Sequence, residues 1–221
     1  MHYNNIGVYM ENEYYDYENV YGSTDDYYWG VIPSQMCLKV ISLKPPDKRL
    51  RVLDIGCGEG KDAVFFARCG YDVSAFDISD TGVEKTKRLA KIARVNLNVF
   101  KANIWDYRLD DIYDIIYSSG VLHYIKPALR DEIIGNYRNH TNTDGLNAFN
   151  VFVEKPFIPP APEKEEHSYL WRSGQLLTHY HDWFIEGYSE VIFDCNSSGI
   201  SHQHAMNILY ARRLGTAISS L

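Results

Sequence analysis

The sequence is poor in cysteine and lacks both long apolar runs and basic stripes. Its four cysteines include no C-x2-C pair, and no histidine follows at a zinc-finger interval, so no metal site is expected. Reduced thiols are typical of the cytosol. No apolar run approaches the roughly 18 residues of a membrane helix, and the polar, acidic start is unlike a signal peptide. These absences predict a cytoplasmic protein with no membrane partner.

The charge balance narrows the class of partner. The formal net charge is -7, which disfavours nucleic acid because its binding proteins need a basic surface. A small anionic substrate held in a local basic pocket stays compatible with this balance. Hydrophobic residues make up 45% of the chain, enough for a full core in one domain. We expect a small-molecule substrate, no nucleic acid, and a monomer or homodimer.

Residues 1–33 form an aromatic-rich N-terminal segment with interleaved acids and no helical or strand period. One interpretation is a poorly ordered tail. The other is a lid whose aromatic side chains, residues 27–29 (Tyr-Tyr-Trp) among them, fold over a ligand. The expected organisation is this segment, a main domain over residues 34–213 and a C-terminal tail over residues 214–221.

From residue 50 onward, short apolar segments alternate with amphipathic ones. This order is typical of strands and helices in a parallel sheet with helices on both faces. The predicted strands lie at residues 50–55, 71–77, 96–103, 113–120 and 145–155, and helices at 60–70, 80–95, 126–140 and 173–184. Ser34 is expected to cap a further helix over residues 35–43. Residues 188–195 and 204–213 predict an antiparallel hairpin at the sheet edge.

The stretch VLDIGCGEG, residues 52–60, ends the first strand and opens the first helix. Glycines there keep side chains away from a ligand, and the helix N-terminus supplies free N–H groups. A phosphate P-loop needs GxxxxGK(S/T), which is absent, and the dinucleotide fingerprint GxGxxG fails because its sixth position is Lys61. Asp54, two residues before the first glycine, would repel a pyrophosphate and attract a cation.

A second acid, Asp77, closes the second strand 23 residues after Asp54. An acid at this point accepts hydrogen bonds from ribose hydroxyls. A ribose and a positive group without a phosphate describe S-adenosylmethionine, which carries an ammonium and a sulfonium. The alternative is that Asp54 is a helix-capping carboxylate and Asp77 a turn acid.

VLDIGCGEG, followed by FD at the end of the second strand, resembles the class I S-adenosylmethionine-dependent methyltransferases over residues 34–213. The resemblance implies a Rossmann-like, doubly wound α/β fold: a seven-stranded, mostly parallel sheet with an antiparallel last strand and helices on both faces. It implies S-adenosyl-L-methionine as cofactor and S-adenosyl-L-homocysteine as product. The cofactor-binding residues it implies are Asp54, Gly56, Cys57, Gly58 and Gly60 at the methionine end, Asp77 and Ile78 at the ribose, Asn103 and Ile104 at the adenine, and Ser119 at the reactive end. Asp106 competes with Asn103 for the adenine amino group.

A narrower resemblance is to the tellurite-resistance methyltransferases of the TehB type. It rests on CGEGKDAVFFARCGYDVSAFDIS, on SGQLLTHYHDWFIEGY and on the terminal LYARR. It implies a small cytosolic enzyme that methylates small nucleophiles, including chalcogen oxyanions such as tellurite, by in-line displacement. The family's helix before the last hairpin carries arginines, whereas residues 176–181 here read LLTHYH and the nearby arginine is Arg172.

The candidate catalytic residues are His123 and Tyr124, just after the fourth strand, and His179 on the short helix. The alternatives are a packed or capping His123 and a His179 on an exposed polar face. Trp29 is a candidate cofactor contact through cation–π attraction to the sulfonium, with ordinary packing as its alternative. The main competing function is a non-catalytic module that binds S-adenosylmethionine or S-adenosylhomocysteine. A nicotinamide oxidoreductase is disfavoured by the glycine loop, and a protein or RNA methyltransferase by the lack of a basic surface.

Overall fold

The computed structural model describes residues 17–161, 168–196 and 199–215, and these residues form one seven-stranded sheet with flanking helices. The strands are β1 (Arg51–Ile55), β2 (Asp72–Asp77), β3 (Asn98–Lys101), β4 (Tyr113–Ser118), β5 (Thr141–Val153), β6 (Phe184–Cys195) and β7 (His202–Arg212). The helices are α1 (Tyr17–Gly22), α2 (Gln35–Leu43), α3 (Lys61–Arg68), α4 (Asp80–Ala93), α5 (Arg130–Asn139) and α6 (Gln175–Thr178). Residues 1–16 of the predicted N-terminal segment and residues 216–221 of the predicted tail lie outside the described residues.

The strand order across the sheet is β3-β2-β1-β4-β5-β7-β6. The pairs from β3 to β5 are parallel, whereas β7 runs antiparallel to both β5 and β6. The predicted doubly wound α/β sheet with an antiparallel last strand is confirmed, and so is the predicted edge hairpin.

Both faces of the sheet are buried. Leu53 and Ile55 of β1 pack into one hydrophobic cluster with α5, while Val52 packs into a second cluster with α2 and α3. A strand buried on both faces has a continuous apolar sequence rather than an alternating one, which explains the unbroken run at the start of the glycine motif.

The fold brings three loops to one edge of the sheet. Strand order reverses between β1 and β4, and ligands in open α/β sheets bind at the carboxyl ends of strands beside such a reversal. The loops that begin at Gly56, Ile78 and Ser119 follow β1, β2 and β4 respectively. The sequence motifs therefore meet at this edge.

Local signals determine where several helices begin and end. Ser34 Oγ accepts a hydrogen bond from the Cys37 N–H at 3.0 Å, so the predicted cap of α2 is confirmed. The predicted helix at 126–140 opens as a 3-10 turn at Pro127–Leu129, and α5 follows it. The predicted helix at 173–184 has only the four residues of α6, because Tyr180 turns into the core. None of the described helices combines the length and apolar character needed to cross a membrane.

Candidate active site

The glycine loop after β1 is shaped by contacts that leave no room for side chains. Gly56 has a φ of +67°, and a Cβ there would lie 2.3 Å from Val121 Cγ2. Gly58 has a φ of +55°, and a Cβ there would lie 2.8 Å from Tyr21 Oη. Left-handed backbone and close approach both favour glycine. The loop therefore keeps its backbone exposed to whatever lies above it.

A cavity of about 390 Å³ opens over this loop and the carboxyl ends of β1, β2 and β4. Its volume lies within the range of about 300–1,000 Å³ typical of small-molecule sites. The predicted cofactor residues that line it are Trp29, Asp54, Gly56, Cys57, Gly58, Asp77, Ile78, Asn103, Ile104 and Ser119. His123 and Tyr124 line it as well. The fold thus gathers residues from distant parts of the chain into one site.

Gly60 does not line this cavity, so the structure does not place it with the other predicted cofactor residues. It precedes α3 with a φ of +86°, and a Cβ there would lie 2.6 Å from the side chain of Thr86 on α4. Gly60 is therefore needed for the close packing of α3 against α4 rather than for a ligand.

Two buried acids lie at the β1 end of the cavity. Asp54 is 2% exposed, and burial, followed by the nearby charge of Asp62, raises its pKa well above the usual value. Asp62 accepts hydrogen bonds from Tyr117 Oη at 2.7 Å and from Ser34 Oγ at 2.9 Å. Lys61 Nζ donates to the same carboxylate at 3.1 Å. Asp54 is the acid with less compensation, so this end of the cavity favours a cation.

Asp77 closes β2 in a network with the glycine loop. Its Oδ2 accepts a hydrogen bond from the Gly58 N–H at 2.8 Å, and its Oδ1 accepts one from the Ser79 N–H at 3.0 Å. Burial raises its pKa, and these two hydrogen bonds oppose the rise. Asp77 is therefore a turn acid, yet each carboxylate oxygen can accept a second hydrogen bond and the side chain faces the cavity.

The two candidates for an adenine contact occupy different positions. Asn103 lines the cavity, and its Oδ1 accepts a hydrogen bond from the Trp105 N–H at 2.9 Å. Asp106 is outside the lining and accepts a hydrogen bond from Asn103 Nδ2 at 3.3 Å. This arrangement favours Asn103 as the ligand-facing residue, with Asp106 orienting its amide.

The N-terminal segment packs along one side of the cavity. Tyr17 and Tyr124 share a hydrogen bond between their hydroxyls at 2.9 Å, and Tyr21 is buried over the glycine loop at 4% exposure. The Trp29 N–H donates to Glu59 Oε2 at 3.1 Å, and its ring lines the cavity. Segment and loop therefore form one continuous wall.

The three aromatic residues 27–29 make different contacts. The Tyr27 ring lies 5.1 Å from the Arg88 guanidinium, on the side of α4, and does not line the cavity. Tyr28 packs edge-on against Trp29, with ring centroids 4.8 Å apart. Of these three side chains only Trp29 lines the cavity, since Tyr28 is also outside the lining and cation–π attraction holds Tyr27 to α4.

A buried ion pair joins the segment to the loop and to α4. Lys85 Nζ lies 2.8 Å from Glu59 Oε1, and the side chains of both residues are less than a tenth exposed. Lys85 also donates to the backbone carbonyls of Thr24 at 2.9 Å and Asp26 at 2.6 Å. A single ammonium group therefore satisfies acceptors from two separate parts of the chain.

His123 is a buried, neutral imidazole on the wall of the cavity. It is 1% exposed and lies between the rings of Tyr124 and Phe152, with centroids 4.2 and 4.5 Å away. Burial lowers its pKa to about 3, with smaller contributions from His204 and Arg130. Neither ring nitrogen has a hydrogen-bond partner among the described residues. A buried polar group without a partner costs free energy, and a ligand in the cavity would supply one.

Asn150 on β5 is a site residue that the sequence prediction missed. Its Oδ1 accepts a hydrogen bond from the Gly120 N–H at 2.6 Å, and its Nδ2 donates to Ser119 Oγ at 3.1 Å. It is 5% exposed and lines the cavity. An asparagine inside the apolar run FNVFV was the available signal, because a buried amide needs partners.

The edge hairpin closes the far end of the cavity. The side chains it contributes, none of them predicted, are Phe193, Cys195, His204 and Met206. Which residues of a strand face a cavity depends on its register, and no sequence signal fixed that register here.

His179 lies outside the lining of the cavity, so the structure does not bring it together with the other candidate catalytic residues. Its ring packs edge-on to Trp171 with centroids 5.8 Å apart, and its Nδ1 lies 3.6 Å from an Asp131 carboxylate oxygen. Burial lowers the pKa of His179, and Asp131 opposes that shift. The short α6 turns the residue toward α5 rather than toward the ligand space.

We expect His179→Ala to lower the free energy of unfolding by about 1–2 kcal/mol, since a half-buried packing contact is lost. Affinity for S-adenosylhomocysteine should stay within about twofold, because the residue does not touch the cavity. Urea unfolding and calorimetry measure the two quantities. His181→Ala, at an exposed position beside it, is the control and should change neither. A tenfold loss of affinity in folded His179→Ala protein would show that His179 does contribute to ligand binding.

Comparison with known proteins gives three relevant matches. The family model described as tellurite resistance protein TehB matches residues 15–200. The Haemophilus influenzae protein named "Probable S-adenosyl-L-methionine-dependent methyltransferase TehB" is 26% identical over 141 residues, which are 63% of this chain and 48% of the relative. The chain thus spans about half the length of the curated relatives it matches. The crystal structure of TehB from Haemophilus influenzae matches with a TM-score of 0.75 at 21% identity, over 89% of this chain and 67% of that one.

A structure with bound cofactor shares the fold. Magnesium protoporphyrin IX methyltransferase from Synechocystis PCC 6803, solved with bound SAM, matches with a TM-score of 0.61 at 18% identity, over 81% of this chain and 78% of that one. At such identities the structural likeness shows the fold alone. The family model, by contrast, covers well over half of the chain, including the glycine loop, Asp77 and β6. This chain therefore belongs to the TehB family of tellurite resistance proteins.

Proposed function

We propose that this chain is an S-adenosylmethionine-dependent methyltransferase acting on a small-molecule nucleophile. The observation that carries the proposal is the cavity over the glycine loop, with buried Asp54 at one end and Asp77 at the end of β2. This pair of acids around an open backbone suits a ligand with a cationic end and a ribose. The names of the Haemophilus influenzae relative and of the Synechocystis structure, both methyltransferases, agree with it.

Charge selects this cofactor over a dinucleotide. At about 4 Å and an effective dielectric of about 20, two unit charges interact by roughly 4 kcal/mol. An ammonium group near Asp54 gains this attraction and favours the ionised carboxylate, which burial alone disfavours. A pyrophosphate in the same place meets repulsion from Asp54 and Asp62, and Lys61 is already engaged by Asp62.

The adenosine end fits the wall formed after β2 and β3. Asp77 would accept hydrogen bonds from the ribose hydroxyls while keeping those from the loop. Asn103 would face the adenine amino group through its carbonyl oxygen, which can accept two hydrogen bonds. The apolar side chains of Ile78 and Ile104 line the same part of the cavity and would pack against the base.

The protein's chemical task is to align and to exclude water. The bound cofactor supplies an activated methyl group, so orientation and desolvation provide much of the rate. With a pKa of about 3, His123 is a poor proton acceptor at neutral pH, and its proposed role is to hydrogen-bond and orient the acceptor. Tyr124 presents its hydroxyl beside it and connects the acceptor to Tyr17.

A chalcogen oxyanion such as tellurite is the specific acceptor that the family suggests. Such an anion carries its own lone pair and needs no general base. Within the described part of the chain, Lys61 is the only lysine or arginine of the lining, and Arg172 does not line it. The proposed acceptor therefore binds through neutral hydrogen-bond donors, which favours a protonated or weakly charged species over a dianion.

Residues 17–33 are proposed to act as a lid over the bound cofactor. The support is the hydrogen bond between Tyr17 and Tyr124 and the anchoring of Trp29 on the glycine loop. Trp29, at 49% exposure, has its ring at the solvent edge of the cavity. Cation–π attraction to a sulfonium there is worth about 0.5–2 kcal/mol.

Release of S-adenosylhomocysteine tests catalysis directly. Purified protein is incubated with S-adenosylmethionine together with one acceptor at a time: tellurite, selenite or a small thiol. We expect acceptor-dependent product above the rate without protein for at least one of them. If the protein binds S-adenosylhomocysteine but produces no S-adenosylhomocysteine from S-adenosylmethionine with any of these acceptors, the non-catalytic binding module is favoured instead.

Asp77→Ala should weaken binding of S-adenosylhomocysteine by about 1–3 kcal/mol, or roughly 5- to 150-fold, because ribose hydrogen bonds to a charged acceptor are lost. Calorimetry measures the affinity. The matched control is Asp80→Ala. It removes an exposed acid that lies three residues after Asp77 and pairs with Lys101. Unchanged affinity in folded Asp77→Ala protein would mean that this acid only stabilises the turn.

A further inference from the structure

The β6–β7 hairpin brings three metal-ligating side chains together beside the cavity. The ligand atoms of Cys195, His202 and His204 lie within 4.8 Å of one another, and all three residues are half-buried. Cys195 and His202 are direct partners in the antiparallel register. His204 shares a face with His202 because side chains alternate along a strand. We propose that these residues bind one divalent transition-metal ion of the zinc class.

The histidine tautomer is already suited to a metal. His202 Nδ1 lies 2.8 Å from the carbonyl oxygen of Ile200. A carbonyl only accepts, so Nδ1 carries the proton and the neutral ring keeps its lone pair on Nε2. A backbone carbonyl bound to the outer nitrogen is the usual orienting contact of a metal-bound histidine. The inner nitrogen, His202 Nε2, lies 2.9 Å from His204 Nε2, so both rings point to the same spot.

The separations are close to those of a tetrahedral site. Two nitrogens at about 2.0–2.1 Å from Zn²⁺ lie about 3.3 Å apart, and a sulfur at about 2.3 Å lies about 3.6 Å from each nitrogen. The two imidazoles therefore need to separate by a few tenths of an ångström, and the thiol needs to close on them by a side-chain rotation. On binding, the Cys195 thiol gives its proton to solvent and bonds to the ion as a thiolate.

The donor set selects the ion. One thiolate and two imidazoles suit zinc and neighbouring transition metals, whereas Mg²⁺ and Ca²⁺ prefer oxygen ligands. Three protein ligands leave one tetrahedral position open. Since Cys195 and His204 line the cavity, that position borders the space of the methyl acceptor; this last consequence rests on the proposed function, whereas ion binding itself does not.

The spacing explains why the sequence predicted no metal. Cys195, His202 and His204 follow a C-x6-H-x-H pattern, which is not the spacing of a zinc finger. Cross-strand pairing in the hairpin, rather than sequence proximity, brings the thiol to the imidazoles. The expectation of no metal site therefore rested on a template that does not describe a hairpin.

Cobalt titration tests the site without cofactor or acceptor. The full chain is freed of metal with a chelator, kept reduced and titrated with Co²⁺, because Zn²⁺ has a filled d shell and no such spectrum. We expect one equivalent to bind with the visible bands of a tetrahedral ion and a near-ultraviolet thiolate-to-cobalt band, and Zn²⁺ to displace it. Absence of a one-equivalent tetrahedral spectrum would overturn the proposal.

Variants assign the ligands. Cys195→Ser should lose the thiolate band, and both it and His202→Ala should weaken Zn²⁺ binding by at least about 100-fold, since even a change next to a metal ligand costs about 10- to 100-fold. The matched controls are Cys69→Ser, at a half-buried cysteine, and His181→Ala, at an exposed histidine; both should bind Co²⁺ like the parent. Circular dichroism confirms folding, and variants on two different strands guard against one that fails to fold. A thiolate band that survives in Cys195→Ser would contradict the assignment. Because the readout is metal binding, it stands whether or not methyl transfer is found.

Discussion

Lys85→Met should lower the free energy of unfolding by about 3–5 kcal/mol, because it leaves the Glu59 carboxylate buried and unpaired. The pair is at 2.8 Å, with side-chain exposures of 8% for Lys85 and 1% for Glu59. The same ammonium also satisfies the carbonyls of Thr24 and Asp26, so the variant detaches the N-terminal segment from α4. Urea unfolding of the purified protein measures the loss.

Two further variants make this result specific. Lys87→Met removes an exposed pair with Glu84 on the same helix and should cost less than about 0.5 kcal/mol. The double variant Lys85→Met/Glu59→Gln should recover much of the loss, because a neutral amide replaces the unpaired charge and still accepts from the Trp29 N–H. A loss below about 1 kcal/mol in Lys85→Met would show that water or another group compensates Glu59.

Gly56→Ala should weaken binding of S-adenosylhomocysteine by at least about 100-fold, or some 2.7 kcal/mol. A left-handed backbone costs an alanine roughly 1–2 kcal/mol, and the new Cβ would lie 2.3 Å from Val121 Cγ2. Relief of that clash displaces the glycine loop, which lines the cavity. Calorimetry on the folded variant measures the affinity.

The two causes of the Gly56 effect can be separated. Gly70 also has a positive φ, +101°, but nothing lies within 4 Å of its Cβ position. Gly70→Ala therefore carries backbone strain alone and should leave the affinity unchanged. Adding Val121→Ala to Gly56→Ala removes both clashing methyl groups and should restore about tenfold of the affinity, leaving the backbone strain and a 2.9 Å approach to the Cβ of residue 121 in place. Full affinity in Gly56→Ala alone would mean that the loop does not hold the ligand.

Local patterns were sufficient to predict the sheet. Short apolar segments alternating with amphipathic ones are compatible with few folds besides a doubly wound sheet. The Ser34 cap was predictable because Ser34 directly precedes the helix that it caps. The lengths of the strands were harder to predict. Strand β5 begins at Thr141 rather than at residue 145, because Thr141 pairs with Tyr113 of β4 before a shift in the register of the two strands. Cross-strand partners decide such boundaries, and they are distant in sequence.

The candidate site shows the same division. The loop residues after β1 and β2 were predictable because each follows directly on a strand end. Asn150 and Cys195 were not, since they enter the cavity through strand pairing and hairpin register. His179 was predicted at the site from its sequence neighbourhood, but the short α6 turns its ring toward Trp171 instead.

Calorimetric titration of the full chain with S-adenosylhomocysteine, and in parallel with NAD, measures whether the cavity selects an adenosyl ligand without a pyrophosphate. Because the cavity joins the buried acid Asp54 to a proposed ribose acceptor at Asp77, we expect one-to-one binding of S-adenosylhomocysteine in the micromolar range, roughly -8 kcal/mol. We expect far weaker binding of NAD, whose pyrophosphate would be repelled by Asp54 and Asp62. No heat from S-adenosylhomocysteine, or NAD binding as tightly, would contradict this expectation.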